Sequence, residues 1–156
     1  MPHTALRSAP LHSIRQRFSE LPPAPPSARQ GFYRASFIGP AWLRLSAGPS
    51  IALSGLPGWQ GKRFIDPQCA TNVLRGRKGV HEKFRMQCNA RPSMVDGKDG
   101  VDLSYGAKGP IPWRWLRDEL RQLDDNTLLG MTVIELPLLN RLAFPFLLSR
   151  DDEPSL

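Results

Sequence analysis

Pro112–Gly130 reads PWRWLRDELRQLDDNTLLG. Trp113, Trp115, Arg114, Arg117 and Arg121 crowd around the adjacent carboxylates of Asp118 and Glu119. The chain then turns at Asp124-Asp125-Asn126 and enters an apolar run. As a helix, this segment has Pro112 near its start and a stripe of Trp113, Leu116, Leu120 and Leu123. As a strand, it shows Trp113, Trp115, Arg117, Glu119 and Arg121 on one face. Arg114, Leu116, Asp118, Leu120 and Gln122 fall on the other. Period alone slightly favours the helix. The acidic turn straight into Thr127–Leu136 favours a hairpin, and so does the rest of the chain.

Sixteen prolines and thirteen glycines in 156 residues leave little room for long helices. A hydrophobic content of 40% suffices for one modest core. Leu11, Ile14, Phe18 and Leu21 recur at helical spacing and predict a short N-terminal helix. Met1–Pro10 reads as a loose tail, and Pro22–Pro26 as a stiff, extended linker. From Gly31 the period is nearer two. Strands are expected over Phe32–Ile38, Ala41–Ser46, Ser50–Leu53, Val80–Cys88, Arg91–Val95, Val101–Tyr105, Thr127–Leu136 and Ala143–Ser149. Gly39-Pro40, Ala47-Gly48-Pro49 and Asp96–Gly100 break them. The expected class is all-β and mostly antiparallel, with about eight to ten short strands in a sandwich or a closed barrel. The division expected is a flexible tail, helix and linker over 1–30, one barrel domain over 31–150, and an acidic tail over 151–156.

The net charge of +7 is unevenly placed. Met1–Arg91 holds 14 Lys+Arg against 3 acids, a net +11, and Pro92–Leu156 holds 7 against 11, a net −4. The basic half admits anionic partners, but mutual attraction of the two halves in the fold explains it as well. Aromatics interleaved with arginine resemble nucleic-acid surfaces, yet Trp113 and Trp115 lie in the acidic half and no aromatic platform motif is present. No nucleic-acid partner is expected.

Cys69 and Cys88 form no CxxC pair, and His3, His12 and His81 do not flank them, so neither a metal nor another cofactor is expected. The N-terminus has no continuous apolar signal segment, which predicts reduced thiols in a cytoplasmic protein. The apolar stretch Thr127–Ser149 is interrupted by Glu135, Pro137, Arg141 and Pro145, so no transmembrane helix is expected. Gly55–Arg63, GLPGWQGKR, misses the phosphate-loop spacing. It reads as a Gly-rich connection with Trp59 packed and Lys62 pointing outward. No nucleophile arrangement stands out, and His81 falls on a polar strand face.

Several fragments together resemble the bacterial GXWXG-type proteins and their companion C-terminal domain of unknown function. Gly58–Phe64 is similar to their W-x-G-K-x-F element, with Pro57 where the first glycine stands in that motif. Leu103-Ser104-Tyr105, Arg117–Arg121, Asp124–Gly130 and Phe144–Arg150 are similar to the companion domain. The resemblance covers roughly Gly31–Arg150. It implies a calycin- or lipocalin-like barrel with the Trp-Arg segment as a strand, and it implies no activity.

The leading functional expectation is noncatalytic binding of a small hydrophobic or amphipathic molecule, such as an acyl, terpenoid or polyketide-like acid, in a barrel cavity. Trp113 and Trp115 would give a flat contact surface, with Tyr105 beside them. Arg117 or Arg121 would pair with the ligand's anionic end, and Glu119 would hold the arginine. A lyase or isomerase using Glu119 or Asp118, Tyr105 and Arg121 is the second possibility. A protein-interaction module using the basic half, the proline-rich segment or the acidic end is the third.

Overall fold

The computed structural model describes residues 3–151. Eight antiparallel strands close into a barrel. They are β1 (Gly31–Phe37), β2 (Trp59–Asp66), β3 (Cys69–Gly76), β4 (Gly79–Ala90), β5 (Val101–Ser104), β6 (Leu116–Asp124), β7 (Thr127–Ile134) and β8 (Ala143–Arg150). Each pairs with its successor, and β8 returns to β1 with Phe37 opposite Phe146 and Tyr33 opposite Arg150. Closure leaves no free edge to aggregate. The all-β, lipocalin-like class expected from the sequence is what the chain adopts. Among the described residues three α-helices accompany the strands: α1 (His3–Leu6), α2 (Leu11–Ser19) and α3 (Ala41–Leu53).

Period-two alternation assigns each strand an inner and an outer face. One half of the barrel is filled by Tyr33, Phe64, Met86, Leu103, Leu120, Leu128 and Leu148. Ala24 and Ala28 join this cluster and plug that end. The Ala24 amide donates to the Leu120 carbonyl, and the Tyr33 hydroxyl donates to the Ala28 carbonyl at 2.6 Å. Within the segment read from sequence as a loose tail and linker, Leu6, Ala9 and Ala24 are therefore buried, and residues 1–2 lie outside the described residues. Leu6, Ile14 and Phe18 of α1 and α2 are buried against Leu129, Met131 and Leu147 on the barrel's outer wall. Of the expected acidic tail, Asp151 accepts from Arg34 at 2.7 Å, and 152–156 lie outside the described residues.

Three local expectations are corrected. Ala41–Leu53 is one helix, not two strands. Leu43, Ala47 and Ile51 recur every fourth residue and all face the barrel's mouth. Within the helix, Ser50 bonds back to the Ser46 carbonyl at 2.7 Å, and Ser54 bonds to that of Ser50 at 2.8 Å. Arg91–Val95 belongs to the β4–β5 connection, because Ser93 folds back onto Lys98 at 2.8 Å instead of pairing with a strand. Trp113–Trp115 is a single 3-10 turn, and the strand begins only at Leu116.

The segment read as a Gly-rich connection is strand β2 from Trp59 onward, and backbone geometry explains its Gly58 and Gly61. Gly58 has φ 74°, and a Cβ there would strike the Arg75 carbonyl; Gly61, at φ 157°, lies against the Tyr33 carbonyl. Only glycine lets β2 approach its neighbours this closely. Among the described residues no helix is long and apolar enough to cross a membrane.

Candidate functional site

The half of the barrel not filled by core side chains encloses a cavity of about 330 Å³. α3 roofs it with Leu43, Ala47 and Ile51. Trp59, Leu116, Trp113, Phe144 and Phe146 give it apolar walls. The indole of Trp113 donates to the Ser54 carbonyl at 2.8 Å and so ties the β5–β6 connection to the end of α3. Its ring also meets Tyr105 at 5.7 Å.

Against this apolar background stands one polar cluster: Lys62 from β2, Asn72 from β3, Asp118 from β6, Thr132 from β7, and Tyr105 just beyond β5. The Lys62 ammonium lies 2.8 Å from Asp118 Oδ2 and donates to Asn72 Oδ1 at 3.1 Å. Thr132 Oγ1 donates to Asp118 Oδ1 at 2.7 Å. Trp59 Nε1 donates to Asn72 Oδ1 at 3.1 Å, while Asn72 Nδ2 donates to the Tyr105 hydroxyl at 2.9 Å. Each strand contributes through its inward parity. Lys62 shares a face with Phe64, and Asp118 shares one with Leu116 and Leu120.

The electrostatics follow from enclosure. Burial alone would depress the Lys62 ammonium, but Asp118 and then Tyr105 outweigh it and hold its pKa above an ordinary lysine's. Lys62 is therefore a cation at neutral pH. Burial pushes the Tyr105 phenol up, ahead of the opposing pull of Lys62, so it stays protonated. A phenol that accepts from Asn72 keeps its own O–H to donate. The site can thus offer a hydroxyl donor beside a paired ammonium in a mainly apolar chamber.

Backbone strain accompanies the site. Phe84 in β4 has φ 60°, a left-handed conformation that costs a bulky residue energy. It lies in a bulge where the β3–β4 register slips between Ala70 and Asn72. The bulge places the Phe84 carbonyl 3.3 Å from Asn72 Nδ2, which fixes the amide's orientation.

The six residues expected from sequence divide. Trp113 and Tyr105 line the cavity. Trp115 does not line it; it ends the 3-10 turn half-buried, and its carbonyl accepts from the Glu135 amide at 2.6 Å. Arg117, Glu119 and Arg121 lie on the outer face of β6, opposite Val133, Met131 and Leu129. There they are buried under the β4–β5 connection and α2. Arg117 Nη2 pairs with Glu119 at 3.0 Å, and Glu119 also accepts from Ser93 and from the Met94 amide. Arg121 makes a two-pronged contact with Asp96 at 2.6 and 2.8 Å and donates to the Phe18 carbonyl at 2.8 Å. Its guanidinium lies 4.2 Å from the Phe18 ring centre. The expectation that these arginines clamp a ligand anion inside the barrel is corrected: the parity of β6 turns them outward.

Sequence reasoning missed Lys62, Asn72 and Thr132, and it weighed Asp118 only as an alternative acid. Lys62 was expected to point outward, yet it is 2% exposed. Its spacing of two from Phe64 was the available signal. Asn72, a lone amide inside the apolar run Cys69–Leu74, was another. Among the described residues no three His, Cys, Asp or Glu side chains gather to hold a metal ion.

The chain matches no family model and no curated protein. Its fold is similar to that of a protein from Thermomonospora curvata known from a crystal structure, with a TM-score of 0.69. That likeness spans 93% of this chain and 90% of the other at 18% identity, and it establishes the fold alone.

Proposed function

We propose that the barrel binds one small, mainly apolar molecule through a single oxygen-bearing group. The observation that carries this reading is the Lys62–Asp118–Asn72–Tyr105–Thr132 cluster at the base of an apolar chamber of about 330 Å³. That volume lies at the small end of ligand sites. A buried ion pair is weak support for stability, and its position on the wall of the chamber supports a role in recognition. Lys62 is already paired with Asp118, so the local charge is balanced. A carbonyl, ester or hydroxyl head suits it better than a bare anion. Tyr105 would donate to that oxygen, and Trp59, Trp113 and Phe146 would flank an acyl, terpenoid or polyketide-like body. We place the binding protein in the cytoplasm, with Cys69 and Cys88 as free thiols.

A lyase or isomerase on the same scaffold is the second reading. It is favoured by three titratable groups, Lys62, Tyr105 and Asp118, meeting in one enclosed space. Turnover of a bound carbonyl compound, abolished by Tyr105→Phe, would select it over simple binding.

Titration of intrinsic tryptophan fluorescence with medium-chain ketones and alcohols tests the proposal, since Trp59 and Trp113 border the chamber. Saturable quenching is expected in the native protein. Ala47→Trp, which fills the chamber from α3, is expected to raise Kd at least tenfold, read by competition with an environment-sensitive dye. Equal affinity in both proteins would place binding elsewhere and overturn the reading.

A further inference from the structure

We infer that the α3 end of the barrel docks onto an anionic lipid surface. Four connections meet at this end: α3 with its flanks, the β3–β4 turn, the β5–β6 segment and the β7–β8 segment. Their placement follows from register, with Phe37 opposite Phe146, Gly76 opposite Gly79, Leu116 opposite Ile134 and Val133 opposite Ala143.

These connections expose large apolar side chains outward. Trp42, Leu45 and Leu53 of α3 are 60%, 78% and 90% exposed, and Ile111 and Leu138 are 60% and 75% exposed. A soluble surface rarely concentrates such groups in one place without a partner. Around them stand exposed Arg77, Lys78, Lys108, Arg114 and Arg141. Glu135 is the carboxylate of these connections, and it pairs with Arg91 at 3.3 Å. The opposite end exposes Asp66, Asp99, Asp124 and Asp125 against the cations Lys98 and Arg150, so acids outnumber bases there. The molecule is therefore polarised, with its apolar tip inside its cationic end.

Charge decides the occupant. A second copy docked on this rim would set cations against cations, which opposes pairing. An anionic bilayer satisfies both features at once: its headgroups attract the arginines and lysines, and its acyl boundary accepts Trp42, Leu45 and Leu53. Trp42 suits the headgroup level because indole is amphipathic. Docking of the rim stands whether or not the chamber holds a ligand. If both hold, the roof helix would meet the membrane from which an apolar molecule is drawn.

Flotation of the full chain with vesicles of phosphatidylcholine, with and without phosphatidylglycerol, tests the inference. Flotation is expected with the anionic vesicles alone, weakening as salt rises. Arg77→Ser with Lys78→Ser is expected to lower partition roughly 25-fold, at about fivefold per cation. Leu45→Asp with Leu53→Asp is expected to abolish it, with unchanged thermal melting because both sites are exposed. Failure to float with anionic vesicles, or equal flotation with neutral ones, overturns the inference. So does self-association that Leu45→Asp removes, which would assign the rim to a second copy.

Discussion

Arg121→Ala is expected to lower the unfolding free energy by about 3–5 kcal/mol, the range for breaking one side of a buried ion pair. For a chain of this size the melting temperature should fall by about 10 °C or more. The variant deletes both contacts to Asp96, the bond to the Phe18 carbonyl and the stacking on the Phe18 ring. These contacts join α2, β6 and the β4–β5 connection on the outer wall. Loss should therefore appear first as faster amide exchange in α2 and around Asp96. Ligand affinity measured below the melting point is expected to stay unchanged, because Arg121 faces away from the chamber. A stable variant with altered ligand selectivity would contradict this placement.

The same pair predicts an acid limb. Burial raises the Asp96 carboxyl, but bonds from Arg121 and from the Lys98 amide outweigh it and hold it far below the usual carboxylate range. An unfolded aspartate ionises near about 3.9. The folded group is depressed, so its contribution is complete at neutral pH. It declines as pH falls below about 5 and is lost as the folded carboxyl protonates. Arg121→Ala should flatten this limb, read as urea midpoints at neutral and acid pH.

Lys62→Met is the second large effect. It leaves Asp118, almost wholly buried, with Thr132 as its remaining side-chain donor among the described residues. The expected cost is again about 3–5 kcal/mol. Lys62→Met combined with Asp118→Leu removes both charges, and most of the loss should return, to within about 1 kcal/mol of the native chain. Both variants are expected to lose ligand binding, because the pair that holds Asn72 and Thr132 in place beside Tyr105 is broken. This separation of stability from binding is the useful result. Recovery of stability together with binding would mean that the pair plays no part in recognition. The alkaline side has its own sign. The folded Lys62 pKa is raised, so its contribution is full below the unfolded lysine value near about 10.4 and is lost only above it.

Turn residues and alternation made the barrel legible. Asp124-Asp125-Asn126 forms the β6–β7 hairpin as read, and Thr127–Ile134 is the strand that follows. What misled was parity and apolar density. Ala41–Leu53 carries Pro49 and Gly48, so it resembled a broken hairpin, while its fourfold spacing of Leu43, Ala47 and Ile51 was the true signal. In β6 the period-two reading separates Arg117, Glu119 and Arg121 from Leu116, Asp118 and Leu120 as the fold does, but Trp113 to Trp115 lie outside the strand, and the arginine-rich face is the outer one. In the fold, charge on that face is neutralised by Glu119 beside it and by Asp96 and Asp102, which come from distant positions that no local pattern announces. Lys62 was hidden for the opposite reason. A lysine in a Gly-rich stretch reads as solvated, and only closure of the barrel brings Asp118 and Asn72 beside it. Contacts between β2, β3 and β6 are set by topology, and sequence spacing does not record them.

Native mass spectrometry of the freshly purified chain tests the central claim most directly. The account predicts a single small neutral molecule carried per chain, or taken up one-to-one on addition of a ketone or alcohol of matching size. It also predicts that Lys62→Met/Asp118→Leu and Ala47→Trp each release it while remaining folded. A chain that carries and accepts nothing under the same conditions, or variants that retain the bound mass, would contradict it.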